Sequence, residues 1–83
     1  MSCILIVDDS NTARAVMAKQ LKTRGYDVIE ARDGKEVLEK IKINNPDCMV
    51  LDLLMPEMDG LDVLKAMKNE SLITPVIILS ADI

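Results

Sequence analysis

Cys3-Ile4-Leu5-Ile6-Val7 is an unbroken apolar run rich in β-branched residues, the pattern of a strand buried on both faces. It stops at Asp8-Asp9, after which Ser10 or Asn11 can cap a helix. Ala13, Val16, Met17 and Leu21 supply that helix with an apolar stripe, leaving Arg14, Lys19 and Lys22 away from it. Gly25, just after Arg24, suits the helix stop. Asp27 to Ala31 predicts a second strand, and Glu30, which interrupts its apolar run, places it at a sheet edge. Asp33 with Glu36 three residues on is a capping-box pattern; Val37, Leu38 and Ile41 form the next helical stripe, broken at Asn44-Asn45-Pro46. Cys48 to Leu51 predicts a third strand leading into Asp52. After a loop punctuated by Pro56 and Gly60, Leu61, Val63, Leu64 and Met67 predict a shorter third helix. Pro75 opens a fourth strand, Val76 to Leu79, which runs into Ser80-Ala81-Asp82-Ile83.

The order β-α-β-α-β-α-β with short connections predicts one α/β domain over residues 1–83, an open parallel sheet with helices on both faces. No repeat, linker or low-complexity segment interrupts it. With 49% hydrophobic and 29% charged residues, the chain reads as globular rather than disordered. At 83 residues it buries only about 60–65% of its unfolded surface, so its core is small. Tyr26 is the single aromatic residue and the net charge is −4, which excludes base stacking and phosphate-backbone binding as main roles. The absence of histidine excludes a histidine phosphodonor, a histidine base and histidine-ligated metal within these residues. Cys3 and Cys48 lie in strand-like runs and read as reduced, small apolar side chains; nothing supports a disulfide. The first apolar run is too short for a signal peptide and no stretch approaches membrane-spanning length, so a cytoplasmic protein without a membrane role is expected.

Polar groups gather where the apolar strands stop. Asp8-Asp9, Asp52 and Ser80 each follow a strand, and a doubly wound sheet lines up those ends on one edge, where such folds bind ligands. Taken singly, Asp8-Asp9 reads more readily as a pair of helix-capping acids, and Ser80 as an ordinary strand-end hydroxyl. Together, clustered carboxylates raise one another's pKa unless a cation joins them, and a hard ion with oxygen ligands such as Mg²⁺ satisfies that need. Asp52 is then placed for nucleophilic attack on phosphorus, and Ser80 for a hydrogen bond to the phosphoryl group once attached.

Ile4-Leu5-Ile6-Val7-Asp8-Asp9, Leu51-Asp52-Leu53-Leu54-Met55-Pro56-Glu57-Met58-Asp59-Gly60 and Ile77-Ile78-Leu79-Ser80-Ala81 resemble the receiver domain of two-component response regulators, across the whole chain and in register. The resemblance implies a flavodoxin-like (CheY-like) sheet of order 2-1-3-4. It implies that Asp52 accepts a phosphoryl group from a histidine kinase or phosphotransfer protein. Asp9 would ligate Mg²⁺ directly, with Asp52, Asp8 through water and the Leu54 main-chain carbonyl. Ser80 would be the switch hydroxyl, and the Ala81 backbone N–H would contact the phosphoryl oxygens.

The resemblance also implies a fourth helix, a fifth strand bearing a lysine and a fifth helix, none of which lies within these residues. Phosphotransfer is therefore expected to be impaired by the missing lysine. The fourth strand is expected to be a bare apolar edge that favours homo-oligomers, by edge pairing or exchange of elements. The competing class is a pseudo-receiver, the same fold used for protein interaction or dimerisation without phosphorylation. An aspartate-dependent phosphatase fits less well, because the position two residues after Asp52 is Leu54 rather than a second acid.

Overall fold

Alternation decides how the central strand is used. In the computed structural model, which describes residues 2–55 and 58–79, β1 (Cys3–Val7) turns Leu5 and Val7 to one face of the sheet and Ile4 and Ile6 to the other. All four are buried, as an unbroken apolar run requires. Along the chain follow α1 (Asn11–Thr23), β2 (Asp27–Ala31), α2 (Gly34–Asn44), β3 (Cys48–Asp52), β4 (Leu54–Met55), β5 (Met58–Asp59), α3 (Gly60–Asn69) and β6 (Val76–Leu79). The long strands form one parallel sheet in the order β2-β1-β3-β6, the expected 2-1-3-4 arrangement with β6 as the fourth long strand.

The two faces are packed unequally. Leu5, Val7, Met49 and Leu51 meet Val37 and Ile41 of α2 and Val63 and Met67 of α3 in the main core. On the other face Ile4 and Ile6 pack with Ala18 of α1, flanked by the partly buried Met17, Leu21, Val28, Cys48 and Val50. Cys48 stands beside Ile4 in the ladder, so it shares Ile4's face while Cys3 takes the opposite one. That geometry leaves both thiols free.

Local chemistry sets the helix limits. The Ser10 hydroxyl accepts the Ala13 N–H at 3.2 Å to start α1. The helix ends in a Schellman turn: Gly25, at φ +94°, donates to the Lys22 carbonyl and Tyr26 to that of Leu21. Asp33 caps α2 by accepting the Glu36 N–H at 2.8 Å, while Glu36 reaches back to the Arg32 N–H rather than that of Asp33, a capping box displaced by one residue. Asn45, left-handed at φ 45°, closes α2 ahead of Pro46. Lys42 and Glu70 form an ion pair joining the ends of α2 and α3.

Two expectations need correction. The stripe predicted for α1 is rotated: Ala13 and Val16 are exposed, and the inward positions are Met17, Ala18 and Leu21, with Arg14 beside them. Arg14 turns inward because its guanidinium finds partners there, which hydropathy alone does not register. The segment after Asp52 is also not simply a loop, since β4 and β5 form a short antiparallel pair.

Candidate functional site: the carboxyl edge of the sheet

Register brings the acidic residues together. Val7 pairs with Leu51, so Asp8 and Asp52 occupy the next rung at the carboxyl ends of adjacent strands. Asp52 in turn lies opposite Leu79, and the Leu53 N–H donates to the Leu79 carbonyl at 3.3 Å. Asp8 is buried and fixed on every side: its N–H donates to the Ala31 carbonyl at 3.2 Å, its Oδ1 accepts the Ser10 N–H at 2.9 Å, and its carbonyl accepts Nη1 of Arg14 at 2.7 Å. A buried carboxylate needs such partners. Asp9 and Asp52 are half-buried, open enough to meet a ligand from solvent.

The far wall comes from the start of α3. Asp59 caps that helix by accepting the Leu61 N–H at 2.8 Å, and it pairs with Leu54 in the β4–β5 ladder. Gly60 lies against the carboxyl end of β3: a Cβ there would stand 2.6 Å from Leu53 Cδ2, 3.3 Å from Leu53 Cα and 3.5 Å from the Asp52 carbonyl oxygen. Only glycine permits this approach without displacing Leu53.

Leu54, the expected carbonyl ligand, opens β4 two residues beyond Asp52. Ser80, Ala81 and Pro56 lie outside the described residues. Among the described residues, no three acidic, histidine or cysteine side chains converge into a ready-made metal cage. The donor set is nonetheless all oxygen, and Mg²⁺ is held by one or two carboxylates while keeping several waters. Asp9 and Asp52, both half-buried, offer carboxylate oxygens of that kind.

The expected site did not include Arg14, which donates from Nε to Glu30 Oε1 at 3.1 Å and from Nη2 to Asn11 Oδ1 at 2.6 Å besides its bond to Asp8. Glu30 was the available signal: a carboxylate set into an apolar strand calls for a cation.

The chain matches the family described as "Response regulator receiver domain" over residues 4–83. It is 40% identical over 78 residues to the alkaline phosphatase synthesis transcriptional regulatory protein PhoP of Bacillus subtilis, covering 94% of this chain and 32% of that protein. The N-terminal domain of a response regulator receiver protein from Methanoculleus marisnigri superposes with a TM-score of 0.90 at 36% identity, covering 99% of this chain and 68% of the other. TrrA of Thermotoga maritima, a response regulator solved with Mg²⁺ and BeF, superposes at 0.84 with 33% identity, covering 99% and 71%; it has also been solved with the histidine kinase ThkA. The chain belongs to the receiver-domain family of two-component response regulators. It spans about a third of the length of the curated relatives it matches.

Proposed function

We propose that Asp52 is the phosphoacceptor of a two-component phosphorelay. The observation that carries this reading is the rung shared by Asp8 and Asp52 at the carboxyl ends of β1 and β3, with Asp9 next along the chain. An Asp52 carboxylate oxygen attacks phosphorus of a phosphohistidine; the O–P bond forms as the N–P bond breaks, and the imidazole nitrogen leaves with the electron pair. By the resemblance to the family, Asp9, Asp52 and the Leu54 main-chain carbonyl would hold Mg²⁺, with Asp8 assisting through water. Bound there, the ion offsets charge on the phosphoryl oxygens. By the same resemblance, Ser80 serves as the switch hydroxyl and the Ala81 N–H contacts the phosphoryl oxygens. The partner is a histidine kinase or phosphotransfer protein, as ThkA is for TrrA, and a cytoplasmic location goes with it. The chain is a signalling domain rather than an enzyme, since any transfer or hydrolysis acts on its own residue.

The family's lysine falls outside the 83 residues, so transfer by these residues alone is impaired. The second reading, an unphosphorylated pseudo-receiver that serves protein interaction, is favoured by the exposed apolar residues of β6. Homo-oligomers by edge pairing or element exchange fit either reading. Incubation with acetyl phosphate and Mg²⁺ separates the two: the phosphoacceptor gains one phosphoryl mass, lost in Asp52→Ala and without Mg²⁺. Failure of the parent chain to gain that mass, with or without a longer C-terminal sequence, selects the pseudo-receiver.

A further inference from the structure

Arg14 binds three partners from the first turn of α1: the end of β1, the start of its own helix and β2. Its Nη1 donates to the Asp8 carbonyl at 2.7 Å, its Nη2 to Asn11 Oδ1 at 2.6 Å and its Nε to Glu30 Oε1 at 3.1 Å. Its side chain is only 12% exposed, against 38% for Glu30. The Asp8 carbonyl belongs to the peptide that joins Asp8 to Asp9. Holding that oxygen restrains the plane of the peptide, and with it the placement of the Asp9 nitrogen and Cα from which its side chain departs. The Asp8 N–H bond to the Ala31 carbonyl and the Ser10 N–H bond to the Asp8 carboxylate hold the same turn from its other sides.

We infer that Arg14, braced by Glu30 and Asn11, is a positioning residue that sets the Asp8–Asp9 peptide for Mg²⁺ binding. This rests on the reading of Asp8 and Asp9 as ion-holding residues. A guanidinium suits the task because its planar fork serves partners in different directions at once, whereas an ammonium is a point charge. Glu30 thereby gains a reason to interrupt β2: it fixes the guanidinium from the side away from the acidic pair.

Residues that orient metal ligands from behind typically change affinity by about 10–100-fold when removed. Acting through one carbonyl, Arg14 belongs at the lower end. Calorimetric titration of the folded chain with Mg²⁺, well below its melting temperature, gives the test. Arg14→Gln should weaken binding by about tenfold while the helical circular dichroism is kept, and Arg14→Lys should not restore it. Glu30→Gln, which preserves shape and removes the charge, should weaken binding about two- to threefold, a fraction of the Arg14 effect. Lys42→Gln, which breaks an ion pair joining the ends of α2 and α3, should leave the affinity at the parent value. Backbone amide exchange at Asp9 and Ser10 should quicken in Arg14→Gln and stay unchanged in Lys42→Gln. Parent-like Mg²⁺ affinity in Arg14→Gln overturns the inference, as does full restoration by Arg14→Lys. Should Arg14→Gln fail to fold, parent-like affinity in Glu30→Gln overturns it, and Arg14 is then a staple of α1. Absence of Mg²⁺ binding by the parent chain, matching Asp9→Ala, overturns the reading of Asp8 and Asp9 as ion-holding residues and this inference with it.

Discussion

β2 finishes its side of the sheet with charge and helix cover, whereas β6, the outermost described strand on the other side, is wholly apolar. β2 carries Asp27 and Glu30, lies beneath α1 and α2, and ends on the buried Ala31. Glu30 is tied to Arg14, so its charge both closes the edge and braces the turn after β1. β6 is four apolar residues, of which Ile77 and Ile78 are 53% and 48% exposed. The contrast teaches that an edge is protected by partnered charge and by cover from helices, not by distance from the core.

The centre of the sheet supplies the scale for that contrast. Leu5, fully buried between β2 and β3, should lose about 3–4 kcal/mol on change to alanine, read as a drop in the urea midpoint. A loss below 1 kcal/mol would show that the middle strand is no better packed than its neighbours. Next comes Glu30→Ala, which opens the finished edge; about 1 kcal/mol is expected, because Arg14 retains Asp8 and Asn11 as acceptors. A cost equal to that of Leu5→Ala would mean that the edge carries core-like weight. Ile78→Lys should change stability by no more than about 0.5 kcal/mol while reducing self-association in sedimentation; unchanged association would clear β6 of the role.

The smallest effect belongs to Cys3, which sits beside β2 at the amino end of the sheet. Burial raises its thiol pKa above the ordinary 9.0, with the nearby charges of Asp27, Asp47 and Cys48 adding to it. A raised pKa means that folding favours the protonated thiol, so its contribution is complete below about pH 9 and is lost as pH climbs through the folded value. Melting curves from about pH 8, roughly one unit below the ordinary thiol value of 9.0, to about pH 10 should show a slight decline toward the alkaline end that Cys3→Ala removes. An equal decline in Cys3→Ala assigns it elsewhere.

The strands were largely legible in the sequence because their apolar runs are continuous and their limits coincide with charged or capping residues. β1, β2 and β6 have the bounds the pattern predicts, and Glu30 marked its strand as an edge. The face of α1 was not legible: Val16 looks like a core residue and Arg14 like a surface one, and hydrogen-bond geometry reverses them. The β4–β5 pair was missed because strands of two residues have no period to detect. At the site, a shared rung for Asp8 and Asp52 follows from parallel order and strand ends that sequence already showed. The hold on the peptide between Asp8 and Asp9 comes from a residue in another element, a relation that exists only after folding.

The contact between Gly60 and Leu53 bears on how this sequence can vary. Any substitution at 60 adds a Cβ, and its sharpest collision, at 2.6 Å, is with the flexible end of the Leu53 side chain. The remaining contact, 3.3 Å to the Leu53 Cα, needs the backbone to give by a few tenths of an ångström. A lineage that shortens residue 53 first can then accept alanine at 60 at modest cost, whereas the reverse order passes through a strained intermediate beside Asp52. Substitutions at 53 and 60 are therefore expected to be coupled, with a preferred order of change.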